Sequence, residues 1–369
     1  MTPRCYIFAG GGTGGHLTPG LAVAAELRRD EPDCRIAFVG TDRPIEAGLI
    51  GGAGYAHMAI PVESSRTLRR NPFRFIWGNW CAYRDAWRFL EQENPAGIVG
   101  LGGYASVPTV LAASRRRIPT ILLEQNAIPG RATRFLCRRV GAVCAAFAGI
   151  EHRLASGARV VVTGNPVRPG IAELFRHARP AGDRRPTLLV LGGSQGAESL
   201  NSAMAAVLSR KPAALADWRV VHQTGPAQFG EVEQQYQSAG LDAVVQPFFD
   251  DMASLFASAT LVISRAGATT MAELACAGCP AILLPYRHAA DNHQLANARI
   301  FENAGAAIVI EHDKIPESTA DNLARAVDAL ATDPSRRAAM QQALYELARP
   351  DAARCTVDVL QSLIAGGTP

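Results

Sequence analysis

The sequence contains few charged residues and no long apolar run. Charged residues make up 19% of its 369 positions and hydrophobic residues 48%, which excludes a disordered chain and can fill the cores of two or three domains. The longest nearly apolar run, residues 141–150, is about half of the ~20 residues that a membrane-spanning helix requires. The apolar segment near the N-terminus runs directly into glycines and does not resemble a signal peptide. We therefore expect a folded cytosolic protein that does not cross a membrane.

Signals for a metal site or a disulfide framework are also missing. Neither an Asp-x-Asp pair nor a His-Glu-x-x-His motif occurs, and the Cys276-x-x-Cys279 pair has no second pair to complete a zinc site. Eight cysteines in a chain without a secretory signal are typical of reduced thiols. We expect no metal and no cofactor, and we expect Cys276 and Cys279 to pack within a helix.

Charge is distributed unevenly along the chain. Residues 1–168 contain 21 arginines and no lysine against 12 acids, a net charge of +9. The remainder contains 16 basic residues against 21 acids, a net charge of −5. A basic half favours an anionic partner such as nucleic acid, a phosphorylated substrate or a membrane surface, and composition does not choose among these.

Short β-branched or apolar segments alternate with helical patterns, which is typical of parallel sheets built from βαβ units. The first series of predicted strands comprises residues 5–9, 35–39, 57–61, 97–101, 120–124, 142–147 and 159–163. The second comprises residues 187–191, 219–223, 243–246, 260–264, 280–284 and 306–310. A polar stretch at 176–186 predicts a linker, and the last 50 residues predict helices. The pattern predicts an α/β protein with two doubly wound, Rossmann-like domains that face a central cleft.

Three glycine-rich turns follow predicted strands. Residues 10–15 precede a helix predicted to open near Pro19, residues 192–196 precede a second helix, and Gly102-Gly103-Tyr104 follows the fourth strand. Glycines let the backbone approach a phosphate or a sugar closely, and a helix N-terminus offers unpaired N–H groups. We expect the three turns to line one cleft.

The first turn leaves other interpretations open. It satisfies Gly-x-Gly-x-x-Gly at Gly10, Gly12 and Gly15, and Asp42 follows the second strand where a ribose-binding acid would lie. An NAD(P)-dependent oxidoreductase is therefore an alternative, and so is a turn that only connects a strand to a helix. A hydride-transfer enzyme has no obvious need of the His16 imidazole at this place. The oxidoreductase alternative also does not account for the motifs in the second half of the chain.

Residues 265–273 follow a strand and enter a helix. Free N–H groups and the hydroxyls of Thr269 and Thr270 suit a diphosphate, and the Glu273 carboxylate can accept both ribose hydroxyls of a nucleoside. In the alternative interpretation one of the threonines caps the helix and Glu273 is a solvated surface charge.

Seven short motifs occur in a fixed order between residues 9 and 297. They are GGTGGH (11–16), PGLA (19–22), GGY (102–104), EQN (124–126), GNPVR (164–168), GGSQG (192–196) and RAGATTMAE (265–273). In order and spacing they closely resemble the MurG family of bacterial N-acetylglucosaminyltransferases. The resemblance implies a GT-B fold and inverting transfer of N-acetylglucosamine from UDP-GlcNAc to the muramyl C4 hydroxyl of lipid I (undecaprenyl-pyrophosphoryl-MurNAc-pentapeptide). The product, lipid II, is an intermediate of peptidoglycan synthesis.

The resemblance also implies site residues and domain roles. The implied UDP-GlcNAc contacts are Thr13, Gly14, Gly15, Asn126, Arg168, Ser194, Phe249, Ala268, Thr269, Thr270, Met271, Ala272, Glu273 and Gln294. The implied loops for the acceptor pyrophosphate contain Gly11, Gly12, Gly102, Gly103 and Tyr104. Residues 1–168 become an acceptor and membrane-binding domain, with a C-terminal helix at about 350–369 packing back on it, and residues 169–349 a donor-binding domain.

His16 is the expected catalytic base. The acceptor hydroxyl must lose a proton as it attacks the anomeric carbon, and a neutral imidazole can accept it. A histidine that only positions the glycine turn is the alternative. We expect N–H groups near Ala268, together with Ser194 or Arg265, to stabilise the departing UDP.

An aromatic and basic segment suggests how such an enzyme would reach a lipid. Three of the four tryptophans, Trp77, Trp80 and Trp87, lie within eleven residues, and six arginines against one acid lie between residues 66 and 88. Near an anionic leaflet each arginine contributes about 1 kcal/mol, although the same helical stripe could instead be core. The expected membrane contacts are Phe73, Phe75, Trp77, Trp80, Arg69 and Arg70.

The segment and the resemblance together predict the partners. They imply a peripheral protein on the cytoplasmic face of the inner membrane, whose partners are UDP-GlcNAc, lipid I and other proteins of cell-wall synthesis. No recognised nucleic-acid module accompanies the arginines, so no nucleic-acid partner is expected. A noncatalytic module that docks on anionic membranes is a further alternative.

Overall fold

The computed structural model describes residues 3–12, 14–177, 185–193, 196–208, 210, 212–240, 242–311 and 316–366. The chain divides into a first unit, Met1–Arg168 with Asp351–Pro369, and a second unit, Pro169–Pro350. Two expected donor contacts, Thr13 and Ser194, lie outside the described residues, as does most of the predicted linker.

The first unit is built on a seven-stranded parallel sheet with the order β3-β2-β1-β4-β5-β6-β7. Its strands are β1 (Cys5–Gly10), β2 (Arg35–Gly40), β3 (Ala56–Ala59), β4 (Gly97–Gly102), β5 (Thr120–Glu124), β6 (Ala142–Ala145) and β7 (Val160–Val162). Its first helices are α1 (Gly14–Asp30), α2 (Pro44–Gly52), α3 (Ser65–Arg70), α4 (Pro72–Glu93), α5 (Val107–Arg115) and α6 (Arg131–Leu136). Side chains of β1 alternate between two cores: Tyr6 and Phe8 pack into one, Ile7 and Ala9 into the other.

The second unit contains a six-stranded parallel sheet with the order β10-β9-β8-β11-β12-β13. Its strands are β8 (Thr187–Leu191), β9 (Arg219–Gln223), β10 (Ala243–Gln246), β11 (Leu261–Ser264), β12 (Ala281–Leu283) and β13 (Ala307–Val309). Its helices are α7 (Pro169–Arg176), α8 (Glu198–Leu208), α9 (Phe229–Ala239), α10 (Met252–Ser258), α11 (Ala268–Ala277), α12 (His293–Asn303), α13 (Pro316–Ala331) and α14 (Pro334–Leu347). Single 3-10 turns lie at Tyr104–Ser106, Cys137–Arg139, Glu151–Arg153, Ala213–Leu215 and Ala290–Asn292.

The last helix, α15 (Ala352–Ile364), belongs to the first unit and packs beside α1. Val357 and Leu360 are fully buried in the core that contains Tyr6 and Phe8. Arg354 forms an ion pair with Asp30 at the end of α1. The end of the chain thus completes the core of its first domain.

The prediction of two parallel-sheet α/β domains is confirmed, and each predicted strand overlaps an observed one. The predicted start of the first helix is wrong. Helix α1 begins at Gly14, and Pro19 lies inside it, although a proline there cannot donate to the carbonyl of Gly15. Leu17 is fully buried and anchors the first turn in the core, which outweighs the proline signal.

Candidate active site

In the first unit, the glycine turn after β1 lies against the glycine turn after β4. The two strands are neighbours, so their carboxyl ends meet at one edge of the sheet. A Cβ atom at Gly10 would lie only 2.9 Å from the carbonyl oxygen of Gly102, and one at Gly103 would lie 3.5 Å from that of Gly11. Gly102 also has a φ of +88°, a value that favours glycine. The structure therefore brings together two of the three predicted turns.

His16 lies on the first turn of α1, beside this pair of turns. Its Cδ2 atom is 3.3 Å from where a Cβ atom at Gly102 would stand, and its Cε1 atom is 3.7 Å from the equivalent point at Gly103. The imidazole is half-buried. Gly102 and Gly103 therefore form the wall next to the imidazole.

A buried carboxylate that the sequence analysis missed lies behind the first turn. Glu46, on the first turn of α2, is fully buried. Its Oε1 atom accepts a hydrogen bond from the N–H of Gly12 at 2.6 Å and one from the hydroxyl of Thr41, and its Oε2 atom accepts one from the N–H of Thr41 at 2.8 Å. The Arg43 guanidinium donates to the carbonyl oxygen of Gly12 at 2.8 Å.

These contacts weaken the dinucleotide interpretation of the turn. The N–H of Gly12 already donates to a carboxylate, so it is not a donor left for a pyrophosphate. A buried negative charge also disfavours an anion at this position. Asp42, the suggested ribose ligand, is exposed, and the acid that contacts the turn is Glu46.

A second buried carboxylate orders the segment that carries Asn126. Glu124, at the end of β5, accepts hydrogen bonds from the N–H groups of Asn126 at 3.0 Å and Gly130 at 2.9 Å. The side chain of Gln125 donates to the carbonyl oxygen of Leu101 at 3.1 Å, which ties the segment to β4. Asn126 therefore lies on the same edge of the sheet as the glycine turns. Arg168, the last residue of the first unit before the chain enters the second unit, is half-buried.

In the second unit, hydrogen bonds connect the glycine turn after β8 to the end of β9. The N–H of Gly192 donates to the carbonyl oxygen of Gln223 at 3.0 Å. The side-chain oxygen of Gln223 accepts from the N–H of Phe249 at 3.2 Å. Phe249, an expected donor contact, thus lies at the carboxyl edge of this sheet.

Helix α11 begins at the same edge, since β11 is a neighbour of β8. Its N-cap is Gly267, so the alternative in which Thr269 or Thr270 caps the helix is wrong. Glu273 is only 3% exposed, which also excludes a solvated surface charge. The expected donor contacts from Ala268 to Glu273 form the first turns of this helix.

Arg265, immediately after β11, brings positive charge to this edge. Its guanidinium donates to the carbonyl oxygen of Leu284 at 3.0 Å and to the hydroxyl of Ser199, and it lies 5.6 Å from the ring centre of Tyr286. Burial lowers the pKa of Arg265 to about 10, so it stays charged at neutral pH. Gln294 accepts a hydrogen bond from the N–H of Tyr286 at 2.9 Å, which places this expected contact beside Arg265.

The aromatic segment divides into an exposed and a packed part. Phe73, Trp77 and Trp80 are 84%, 67% and 51% exposed, and the two tryptophan rings lie 5.4 Å apart. Together with Leu68 and Ile76, which are also exposed, they form the aromatic patch. Arg69 and Arg70 are exposed on α3, and Phe75 is half-buried.

Trp87 is half-buried and packs between Tyr83 and Arg116. Further along α4, Ala82, Ala86 and Leu90 are buried and fix the helix to the core. The interpretation of the aromatic stripe as core is therefore correct for the Trp87 end of α4 and wrong for the start of that helix.

Within the described part of the chain, no helix is long and apolar enough to cross a membrane. The same residues contain no group of three or more histidine, cysteine or acidic side chains arranged to hold a metal ion. Cys276 and Cys279 are both buried, but only Cys276 lies in a helix, because α11 ends at Ala277; the expectation is wrong for Cys279, whose thiol donates to the carbonyl oxygen of Phe256 at 3.3 Å.

Comparison with known proteins covers both units. Residues 6–145 match the glycosyltransferase family 28 N-terminal domain and residues 187–354 the glycosyltransferase family 28 C-terminal domain. A UDP-N-acetylglucosamine–N-acetylmuramyl-(pentapeptide) pyrophosphoryl-undecaprenol N-acetylglucosamine transferase of Anaeromyxobacter sp. (strain K) is 40% identical over 364 residues, which cover 96% of this chain and 92% of that protein. The transferase of the same name from Geobacter sulfurreducens is 37% identical over 361 residues, 95% of this chain and 96% of that protein.

Solved structures agree with the sequence matches. The crystal structure of Acinetobacter baumannii MurG superimposes with a TM-score of 0.71 at 29% identity and covers 98% of this chain and 100% of that one. A UDP-N-acetylglucosamine 2-epimerase from Listeria monocytogenes, with a TM-score of 0.70 at 14% identity over 99% of this chain and 98% of that one, shows the fold alone.

Two parallel α/β units with glycine turns at the carboxyl ends of their first strands define the GT-B class of glycosyltransferase folds. With near full-length relatives at about 40% identity, the chain belongs to the MurG family within glycosyltransferase family 28. The predicted fold class and family are confirmed, and the oxidoreductase and noncatalytic alternatives are wrong.

Proposed function

We propose that this chain transfers N-acetylglucosamine from UDP-GlcNAc to the C4 hydroxyl of the muramyl sugar of lipid I, with inversion, to form lipid II. The observation that carries the proposal is the 37–41% identity, along nearly the whole chain, to transferases whose name gives this donor and this acceptor. The chain retains the glycine turns, the histidine and the α11 segment that such a reaction needs.

In the reaction, the acceptor oxygen bonds to the anomeric carbon as the bond between that carbon and the UDP oxygen breaks. The leaving UDP takes the electron pair, and the hydroxyl proton passes to an imidazole nitrogen of His16. The half-buried ring beside Gly102 and Gly103 supports this role, because it lies at the edge of the sheet where the two glycine turns meet.

The second unit supplies the donor site in this proposal. The N–H groups at the start of α11 and the charged Arg265 bind the diphosphate and stabilise the charge that develops as UDP leaves. Glu273 accepts the ribose hydroxyls, and Phe249 and Gln294 contribute from neighbouring segments. Asn126 and Arg168 are the donor contacts proposed from the first unit, together with Gly14 and Gly15.

The acceptor is bound by the first unit. We assign its pyrophosphate to the turn after β4, at Gly102, Gly103 and Tyr104, because the buried carboxylate of Glu46 lies against Gly11 and Gly12 and disfavours an anion there. The excess of arginine over acids in residues 1–168 supports an anionic acceptor.

Attachment to the cytoplasmic face of the inner membrane occurs through the aromatic patch and the neighbouring Arg69 and Arg70. Aromatic side chains insert at the headgroup level while arginines bind anionic lipid, at about 1 kcal/mol each. Replacing Trp77 and Trp80 by serine should release the protein from anionic vesicles in a flotation assay. Val162→Ser, which changes an exposed apolar residue elsewhere in the same unit, is the matched control. Equal binding of both variants would assign attachment to another surface.

The direct test is UDP release from UDP-GlcNAc with and without a short-chain lipid I analogue, with the disaccharide product identified by mass spectrometry. We expect release only with the acceptor. If UDP is released only with a different acceptor, UDP-GlcNAc remains the assigned donor and lipid I is excluded as the acceptor. A folded sample that forms no disaccharide and releases no UDP would exclude the proposal.

A further inference from the structure

We propose that Glu46 is a positioning residue for His16, and that it acts by fixing the glycine turn between β1 and α1. This inference deepens the proposed function, since it rests on His16 as the base. Glu46 does not touch the imidazole. It holds the backbone segment that leads into the helix turn carrying the imidazole.

Gly12 is held from both of its backbone polar groups. Its N–H donates to the buried carboxylate of Glu46 at 2.6 Å, and its carbonyl oxygen accepts from Arg43 at 2.8 Å. Gly12 has a φ of +94°, a conformation with little intrinsic stability for most residues. Two charged partners from one short segment, residues 43–46, therefore hold the backbone on both sides of the Cα atom of Gly12.

The surrounding residues accommodate the carboxylate and little else. A Cβ atom at Gly11 would lie 2.2 Å from Oε2 of Glu46, and one at Gly40 would lie 2.3 Å from the same atom. Neither glycine has a positive φ among the described backbone angles, so space and not conformation requires them. A buried carboxylate is costly unless it is well hydrogen-bonded. The donors at Gly12 and Thr41 meet this requirement, which ties the conformation of the turn to the charge of Glu46.

The imidazole of His57 covers the remaining side of the carboxylate. Its Nε2 atom lies 4.0 Å from Oε2 of Glu46, is buried, and has no hydrogen-bond partner among the described residues. The carboxylate is thus enclosed by the turn, by Thr41 and by His57.

Displacement of the turn would change the position of the His16 imidazole. Gly12 lies four residues before His16 in the sequence. The carbonyl oxygen of Gly11 lies beside Gly103, and Gly103 and its neighbour Gly102 both adjoin the imidazole. A shift of the turn therefore changes the distance between the imidazole and the wall against which the acceptor hydroxyl binds. A misplacement of about 1 Å in a catalytic group can lower a rate by about 100-fold.

The test is a double-mutant cycle between Glu46→Gln and His16→Ala, measured as kcat for disaccharide formation. Glutamine keeps the shape of the side chain, but its amide presents a donor to the N–H groups that the carboxylate binds. We expect Glu46→Gln to lower kcat about tenfold with His16 present, to lower it less than about twofold in the His16→Ala background, and to change the donor KM less than it changes kcat. The same loss in both backgrounds would overturn the proposal, because a general loss of folded enzyme acts independently of His16.

Two further variants guard against a folding artefact. Arg43 is exposed, so Arg43→Ala should leave the core intact and still lower kcat through the released carbonyl of Gly12. Glu31→Gln is the matched control, since that acid also accepts hydrogen bonds within the first unit but adjoins Tyr6 at the start of β1. It should retain the wild-type kcat. A loss with Glu31→Gln as large as that with Glu46→Gln would contradict the assignment.

Hydrogen–deuterium exchange gives a readout that requires no turnover. In Glu46→Gln the peptide covering residues 10–16 should exchange faster, and the peptide covering α11 should be unchanged. Unchanged exchange at residues 10–16 would show that Glu46 does not hold the turn. If the wild type forms no disaccharide, the proposed function fails, and exchange still decides the role of Glu46.

Discussion

The two units carry equivalent glycine turns with opposite charges beside them. In the first unit the buried carboxylate of Glu46 occupies the N–H of Gly12, and in the second the partly buried guanidinium of Arg265 lies at the edge where α11 begins. These local charges are opposite in sign to the regional totals, which are +9 for residues 1–168 and −5 for the remainder. Net charge therefore describes long-range attraction, whereas in the proposed function the buried charge beside each turn favours a diphosphate at the second turn over the first.

The comparison assigns different tasks to similar backbones. An anionic diphosphate is favoured at the second edge, where N–H groups and a cation converge, and disfavoured beside Glu46. In the proposed function the first edge holds the acceptor hydroxyl beside its base, His16.

The largest effect is expected from His16→Ala. Removal of a general base costs about 10²- to 10⁴-fold in rate, and because the base acts in the transition state we expect kcat to fall and the donor KM to change little. Steady-state kinetics with both substrates varied would measure this. His152→Ala, which removes an exposed imidazole from the same unit, should be indistinguishable from the wild type. Unchanged turnover in His16→Ala would leave His16 as a positioning residue of the turn.

Glu273→Gln should produce the opposite kinetic pattern. A hydrogen bond to a charged group contributes about 1.5–3 kcal/mol, so we expect the donor KM to rise about 10- to 100-fold with a smaller change in kcat. The substitution keeps the buried side chain's volume. Glu231→Gln, on the exposed face of α9, is the control. A donor KM equal to that of the wild type would refute ribose binding by Glu273.

A smaller effect is expected on the stability of the second unit in acid. His222 is buried between Tyr236 and Asn201, at 3.0 Å and 3.1 Å, and burial lowers the pKa of His222 to about 3. The pKa of His222 in the unfolded chain is near 6.5. Below pH 6.5 the unfolded state therefore binds a proton that the folded state does not bind, and the free energy of unfolding falls as the pH drops. Between pH 7 and pH 5 the loss should be about 2 kcal/mol.

The acid effect can be followed by denaturant unfolding with fluorescence of Trp218, the single tryptophan among residues 169–350, after the other three are replaced by phenylalanine. The variant His222→Phe should be less stable at neutral pH but should lack this part of the pH dependence. A variant with the same slope between pH 7 and pH 5 would assign the acid sensitivity to other groups.

The strands and most of the site segments could be predicted from sequence because their signals are local. β1, β5, β8 and β9 are short apolar runs bounded by glycine or polar residues, and each was located within about one residue. The glycine turns were found for the same reason. The start of α1 was misplaced because Pro19 is a strong local signal, whereas the burial of Leu17 depends on the tertiary packing of the helix.

Glu46 was missed because its role is not local. The acid lies 34 residues after Gly12, on a helix turn where an acid is typical of an exposed N-terminus. Only the fold of α2 over the first turn reveals that it is buried. Gly40-Thr41 was the available signal: a small residue and a hydroxyl at the end of β2 make room and hydrogen bonds for a carboxylate. Asp42 was considered instead because its spacing fits a dinucleotide motif.

The division between the two edges is tested most directly by the affinities of UDP and uridine, measured by calorimetry for the wild type, Arg265→Gln and Glu46→Gln. Loss of the cation should weaken UDP binding by about tenfold or more and leave uridine within about twofold, since only UDP carries the diphosphate. Glu46→Gln should lose less UDP affinity than Arg265→Gln, because the turn that Glu46 holds supplies only the proposed contacts at Gly14 and Gly15. Equal UDP affinity for Arg265→Gln and the wild type, or a loss with Glu46→Gln instead, would contradict the assignment of the diphosphate to the second unit.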